Sequence, residues 1–498
     1  MTESSERGGW AARRLWWALT LAAIISLTAV LAAVRLRRPP DLQTPKFHAV
    51  MPGGPSRSSA AQRLRAGAAG ANVIIVVLDA AAASHFASFG YKRDTTPNLA
   101  KFHSQGVLLT EAYAAAASTK PSVASLFTAQ FPDTHGALAL PAHLSSEGAT
   151  LAECFTRAGY ATAAFSASPS VSATLGYGRG FGSFHEVFRD AGLEPTTLQR
   201  RSPGTLPVDA ALVLRSVVDW LQAHGDERFF MYIHFREPHY PYVVPPSFHV
   251  PFLDLAARRP QKLMYDASLA YVDSIFARLL EELDARGLLA ESVVVTMADH
   301  GEAFSEHGKV GHSSTAYTEM THVPVAFHLP ARSGAVPQRR SEIFCLTDIM
   351  PTLLDLLGMA PPTTMQGRSR LALLTGEQEE TPAFAVSRAL GEDHSGGLLG
   401  PDQVSYAFRV PRYTLLLADE GKRVELYDRD ADPGELHDIA ALQPDLARAL
   451  RAQFEEWADS QRGRPVVLPG GRVYSAEGKE SDLDEATRRQ LKALGYLR

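Results

Sequence analysis

Residues 72–78 read NVIIVVL, and Asp79 follows. An unbroken β-branched run of this length fits a strand buried on both faces of a parallel sheet, where alternation is unnecessary because neither face meets water. The acid at its end is the informative residue. Open α/β sheets place their ligands beyond the carboxyl ends of their strands, and a carboxylate there must be solvated or paired. A metal ion is the economical partner, and a cap for the next helix is the competing reading.

Strand and helix patterns alternate outward from that run. Thr95 to Tyr113 reads as a helix and then a strand, with Pro97 near the helix start and Gly106 at its end. Thr150 to Gly159 reads as an amphipathic helix, Tyr160 to Ser166 as a short apolar strand, and Gly176 to Phe184 as a loop. Val208 to His224 and Tyr265 to Leu283 have helical patterns, whereas Phe229 to His234 (FFMYIH) and Ser292 to Met297 (SVVVTM) are strand-like. This order predicts an α/β fold with a doubly wound, mostly parallel central sheet flanked by helices. A helix over PTLLDLLG ends at Gly358, and Pro361-Pro362 marks a boundary. SYAFRV, YTLLLA and VELYD then predict a smaller antiparallel sheet, on which a helix from Gln443 to Trp457 packs. The expected organisation is a core at 72–362, a C-terminal subdomain at 363–470 and a charged tail at 471–498 with a short helix at Asp484 to Leu494.

The front of the chain has a different character. Leu15 to Val34 carries no charge and is long enough to cross a hydrocarbon core of about 30 Å at about 1.5 Å per residue. Trp10, Trp16 and Trp17 suit an interfacial belt. A cleaved signal peptide is the rival reading, but Arg35, Arg37 and Arg38 follow directly, which favours an uncleaved single-pass anchor after an N-terminal flank at 1–14. Residues 35–71 read as a flexible linker. Arginines flank the span on both sides, so charge does not set its orientation. The body behind such an anchor is expected to lie outside the cytoplasm.

The composition is that of an ordinary globular enzyme: 498 residues, 45% apolar and 21% charged. A net charge of −5 leaves no basic footprint, which argues against a nucleic-acid partner. Cys154 and Cys345 match no metal or redox spacing and read as two buried thiols.

Candidate chemistry sits at the strand ends. In AAAASTKPSVASLFTAQF, residues 114–131, Thr119 precedes a helix with Pro121 in its first turn, so its hydroxyl lies near exposed N–H groups and the positive end of a helix dipole. An oxyanion is held in such a place, though a plain cap gives the same pattern. Ser122 and Ser125 are expected to satisfy local donors. His239 falls in a Pro-bounded loop after FFMYIH. After SVVVTM comes ADHGEAFSEHGKVGH, where Asp299 and His300 are adjacent and Glu302, His307, Lys309 and His312 crowd one loop. Five of the 17 histidines lie between His300 and His328, which favours a metal site over a solvated acidic loop.

Taken together, NVIIVVLD, GYKRDTTPNLAKFHSQG, TKPSVASLFTAQFPDTHG, HFREPHYPY, ADHGEAFSEHGKVGH and ELYDRDADPGELHDIAA resemble the sulfatase family of the alkaline phosphatase superfamily, over about Asn72 to Trp457. The resemblance implies that Asp79, Asp299, His300 and Thr119 are metal ligands, with the coordinated Thr119 as nucleophile. It also implies that His239 and His312 contact the sulfate or phosphate, with Lys120 or Lys309 assisting. One divalent ion is implied, with Ca, Mn, Mg and Zn all compatible. Three departures stand out. The family's nucleophile is a formylglycine made from a C-x-P-S-R motif, but Thr119 and Val123 occupy the Cys and Arg positions. Ala80 replaces a second Asp, and Ala82 and Ser84 stand where relatives carry Arg and Asp. A threonine resembles the phosphodiesterase and phosphoglycerol or phosphoethanolamine transferase branches, so a phosphate ester is expected on a small molecule, a lipid head group or a glycan. An arylsulfatase-like activity and a decayed binding module are the alternatives.

Overall fold

The computed structural model describes residues 58–139, 142–190, 210–249, 260–379, 383–390 and 404–460. The expected span at Leu15 to Val34, the linker up to residue 57 and the expected helix at Asp484 to Leu494 lie outside these. Among the described residues no helix is long and apolar enough to cross a membrane.

Strand β1 (Asn72–Asp79) is buried along its whole length, as its unbroken apolar run requires. It lies at the centre of an eight-stranded sheet with β2 (Val107–Leu109), β3 (Ala161–Ser166), β4 (Ser183–Glu186), β5 (Phe229–Pro238), β6 (Ser292–Ala298), β7 (Val325–His328) and β8 (Gln338–Arg340), in the order β8-β2-β7-β6-β1-β5-β3-β4. Strands β5 and β6 both run parallel to β1, and only β7 runs against its two neighbours. The sheet is therefore mixed. The expected loop at Gly176 to Phe184 gives way at its end to edge strand β4, and β5 continues four residues past His234.

Helix α1 (Pro97–Ser104) carries its proline in the first turn, and α2 (Thr119–Thr128) starts at the threonine itself after Ser118. A full capping box at Thr150 and Glu153 opens α3 (Leu151–Arg157). The long helices α4 (Ala210–His224) and α5 (Pro260–Ala285) cover the sheet and bury Val213, Val217, Tyr271 and Ile275 against it. Helix α6 (Ile349–Leu356) ends before Gly358, whose φ of 68° suits a residue without a β-carbon.

Four antiparallel strands, β9 (Ala385–Ala389), β10 (Ser405–Arg409), β11 (Tyr413–Ala418) and β12 (Arg423–Asp428), form the second sheet, with α7 (Pro444–Ser460) against it through Phe454. This sheet is sewn to the approach to α2. Arg388 N–H donates to Ala115 O at 2.9 Å and Ala117 N–H to Arg388 O at 3.0 Å. The small side chains of Ala114 to Ala117 are all buried and let β9 lie alongside. Cys154 and Cys345 are buried free thiols.

Candidate active site

Three neighbouring strands deliver the polar residues to one point. Asp79 ends β1, His234 lies on β5 opposite Val77, and Asp299 follows β6 directly. Each is at most 1% exposed, and one ligand atom from each lies within 4.8 Å of the other two. His234 was not singled out from the sequence, where it read as the close of an apolar strand. The clue was the argument applied to Asp79: a polar side chain ending a buried run needs a partner.

The hydrogen bonds show which atoms are committed. Asp299 Oδ1 accepts from the N–H groups of Ala80 at 3.1 Å and His300 at 2.9 Å, whereas its buried Oδ2 has no hydrogen-bond partner among the described residues. His234 Nδ1 meets the Tyr232 hydroxyl at 3.0 Å, and its buried Nε2 has no such partner, lying 3.5 Å from Asp79 Oδ2. Two orphaned buried atoms facing a second carboxylate are costly unless a cation joins them, so the donor set fits a divalent metal.

His300 closes the other side. Its Nδ1–H donates to Gly301 O at 2.8 Å, which leaves the Nε2 lone pair 3.6 Å from Asp79 Oδ1 and 3.8 Å from Asp299 Oδ2. The Thr119 hydroxyl lies 3.1 Å from that nitrogen and 3.3 Å from Asp79 Oδ1. Ser122 holds this arrangement by donating to Asp299 O at 2.6 Å, while Ser125 bonds His135 Nε2 at 3.0 Å. Both serines were expected to serve local donors; because α2 is buried on all sides, their hydroxyls find tertiary partners instead. Gly301 permits the turn: a β-carbon there would come within 2.2 Å of Glu319 O.

Charge follows burial. Burial alone would raise the Asp79 carboxyl, but the imidazoles of His239, His234 and His300 outweigh it and hold the group well below the usual range. Asp299 is raised to about 7 by burial and by the Asp79 charge. Burial pushes His300 down to about 4 and His239 to about 3, so both are neutral at pH 7.

The remaining candidates divide. The His239 ring packs 4.9 Å from that of His312, which lies 4.5 Å from that of His300, so both histidines face the same space. Lys120 is buried beside Thr119, and its ammonium donates to Ala142 O. Lys309 is exposed on the hairpin formed by Ala303–Phe304 and Val310–Gly311. Ala80 takes a positive φ of 62°, and Tyr265 Oη donates to its carbonyl and accepts from Ala82 N–H, each at 2.8 Å. The alanines from 80 to 83 are thus packed turn residues.

Comparison with known proteins places the chain in a family. A family model described as Sulfatase matches residues 71–359, and one described as N-sulphoglucosamine sulphohydrolase, C-terminal, matches 306–459. The first spans more than half of the chain, which therefore belongs to the sulfatase family. It is 28% identical over 194 residues to arylsulfatase K of Mus musculus, a match covering 38% of this chain and 34% of that one. It is 34% identical over 174 residues to the Delta 4,5-hexuronate-2-O-sulfatase of Bacteroides thetaiotaomicron, covering 34% of each. The chain thus spans about a third of the length of these curated relatives. Among solved structures, the phosphonate monoester hydrolase of Agrobacterium radiobacter superposes with a TM-score of 0.66 at 20% identity, over 78% of this chain and 96% of that one. The chain accordingly has the sulfatase family's alkaline-phosphatase-like α/β fold, and that family typically binds a divalent metal.

Proposed function

We propose that the protein hydrolyses or transfers a phosphate ester through Thr119, on a catalytic domain held outside the cytoplasm by a membrane anchor at residues 15–34. The observation that carries this reading is the Thr119 hydroxyl, buried and within 3.3 Å of both Asp79 and His300. Its proton has an acceptor in reach in the Asp79 carboxylate, which is held ionised, and the His300 imidazole beside it is held neutral, which leaves its Nε2 lone pair for an ion. Asp79, Asp299, His234 and His300 are the residues that would hold a divalent ion. Bound there, the ion would lower the pKa of a nearby hydroxyl and neutralise the non-bridging oxygens of an ester. As Thr119 Oγ1 attacks phosphorus its proton passes to Asp79, the bond to the ester alcohol breaks, and the alcohol leaves with that proton. His239 and His312 line the space that receives the anion.

Phosphate is favoured by the chemistry of threonine. An aldehyde hydrate has two hydroxyls, so one can expel an anion bound to the other; threonine has one, and its ester must be opened by a second attack at the central atom. Water or an acceptor alcohol supplies that attack. The names of the curated relatives support sulfate as the second reading. The natural substrate is proposed to be a small-molecule, lipid-head-group or glycan ester.

The test uses the full chain in detergent with Mn²⁺, Mg²⁺, Zn²⁺ or Ca²⁺, and aryl phosphodiester, phosphomonoester and sulfate substrates. Thr119→Ala is expected to lower turnover by about 10³-fold or more, with metal affinity within a few-fold of the parent. Turnover unchanged by that substitution overturns the nucleophile; sulfate turnover exceeding phosphate turnover selects the second reading.

A further inference from the structure

Glu302 has no part in the chemistry proposed for Thr119. Its side chain is fully buried, three residues after Asp299, in a site that must admit an anion. A carboxylate there works against substrate binding by charge alone, so its place in the site needs another reason.

Its contacts supply one. Glu302 Oε1 lies 3.1 Å from His312 Nδ1. The buried Tyr242 phenol lies against the same carboxylate, and its own ionisation is pushed up by burial and by the Glu302 charge. Tyr242 occupies a positive φ of 59°, a strained setting for an aromatic residue, and its ring is braced by Tyr265 at 5.7 Å and Phe304 at 6.2 Å. The His312 side chain, by contrast, is 16% exposed and follows the two-residue strand Val310–Gly311.

We propose that Glu302, braced by Tyr242, is a positioning residue that fixes the His312 ring by accepting its Nδ1–H, so that the Nε2 lone pair faces the site as the base for the water or alcohol that opens the Thr119 ester. The inference rests on the reading of this site as an ester-processing centre and adds a residue to it that neither holds metal nor touches substrate. A carboxylate that orients an imidazole through its distal nitrogen selects one tautomer and removes the entropy of ring rotation before substrate arrives.

Two measurements test it. In the first, turnover of a phosphodiester is compared for Glu302→Ala, Glu302→Gln, His312→Gln and the double variant Glu302→Ala/His312→Gln. Glu302→Ala is expected to lower kcat about 10- to 100-fold with KM changed little, and Glu302→Gln less, because its amide oxygen still accepts from Nδ1–H. If Glu302 works only through His312, the double variant is no slower than His312→Gln alone. Losses that multiply in the double variant, or a weakened metal affinity in Glu302→Gln, overturn the proposal.

The second measurement needs no turnover. In ¹⁵N-histidine spectra of the resting protein, His312, assigned by its loss in His312→Gln, is expected to show a single tautomer protonated at Nδ1, and Tyr242→Phe and Glu302→Ala are expected to average it. An unchanged His312 signal in Glu302→Ala overturns the proposal. A pinned tautomer in a protein that turns over no ester upholds the positioning and refutes the ester-processing reading instead.

Discussion

Asp299 divides its work between its two oxygens. Oδ1 is spent on the backbone of Ala80 and His300, and Oδ2 is left buried toward Asp79 and His234. Burial and the neighbouring charge raise its pKa from 3.8 to about 7, so the group keeps a proton in the folded chain that the unfolded chain has lost. The metal-free protein should therefore lose stability as pH rises from about 4 to about 7, and bound metal should reverse that slope. Metal binding must displace this proton, so affinity is expected to be greatest above about pH 7 and to fall about tenfold per pH unit below it. Calorimetric titration with Mn²⁺ at pH 6 in buffers of different ionisation enthalpy should show close to one proton released per ion. Release near zero would remove Asp299 from the donor set.

Strand β5 works at a larger scale. Its alternation places Tyr232 and His234 on the same side, so the tyrosine hydroxyl reaches His234 Nδ1 while the strand itself sets the height of the ring beside Asp79. A hydrogen-bonded distal nitrogen is how an imidazole is oriented toward a metal. His234→Ala is expected to weaken divalent-metal affinity about 10- to 100-fold, and Tyr232→Phe to weaken it by a smaller factor, both measured by the same titration. An unchanged affinity in His234→Ala would leave Asp79, Asp299 and His300 as the ligands. Helix α2 shows the same dependence between elements: Ser122 on its first turn is tied to the Asp299 carbonyl, which links the helix that carries Thr119 to the segment that carries the Asp299 carboxylate.

Across the whole molecule, the second sheet closes over the loop that carries His307 and His312. His307 donates from Nδ1 to Glu319 at 2.9 Å and from Nε2 to the Glu435 carbonyl at 2.6 Å, and its ring stacks on Tyr317 at 3.7 Å. Two acceptors demand two N–H groups, which only the imidazolium has. Burial would lower its pKa, but the bonds to Glu319 and Glu435 outweigh burial and raise it to about 9. A raised pKa on a base means that this stabilisation is complete below about 6.5 and is lost as pH rises through about 9. The melting temperature is expected to fall by an additional amount on the order of 1 °C between pH 7 and 9.5 relative to His307→Gln, a small effect because the group is partly screened by water. Parallel melting curves for the two proteins would deny His307 this role. Glu435 also receives the buried Arg409 guanidinium at 3.3 Å and Thr318 N–H at 2.8 Å, so one carboxylate and its own carbonyl join three segments of the fold.

Much of this architecture was legible locally. Runs such as NVIIVVL and SVVVTM can only be buried strands, and the helices between them impose parallel pairing, because a chain that crosses over a sheet through a helix returns in the same direction. Asp79 and Asp299 could be picked out because an acid that ends an apolar strand has to find a partner. Tertiary packing alone decided the rest. His234 looked like the last residue of a core strand until β5 was set beside β1; Ser122 and Ser125 looked like local caps until α2 was buried; and Glu302 was one polar residue among several until Tyr242 arrived from another loop. For His234, Ser122 and Tyr242 the deciding contact joins residues distant in sequence, and their approach is set by strand order and register, quantities that hydrophobic periodicity does not encode.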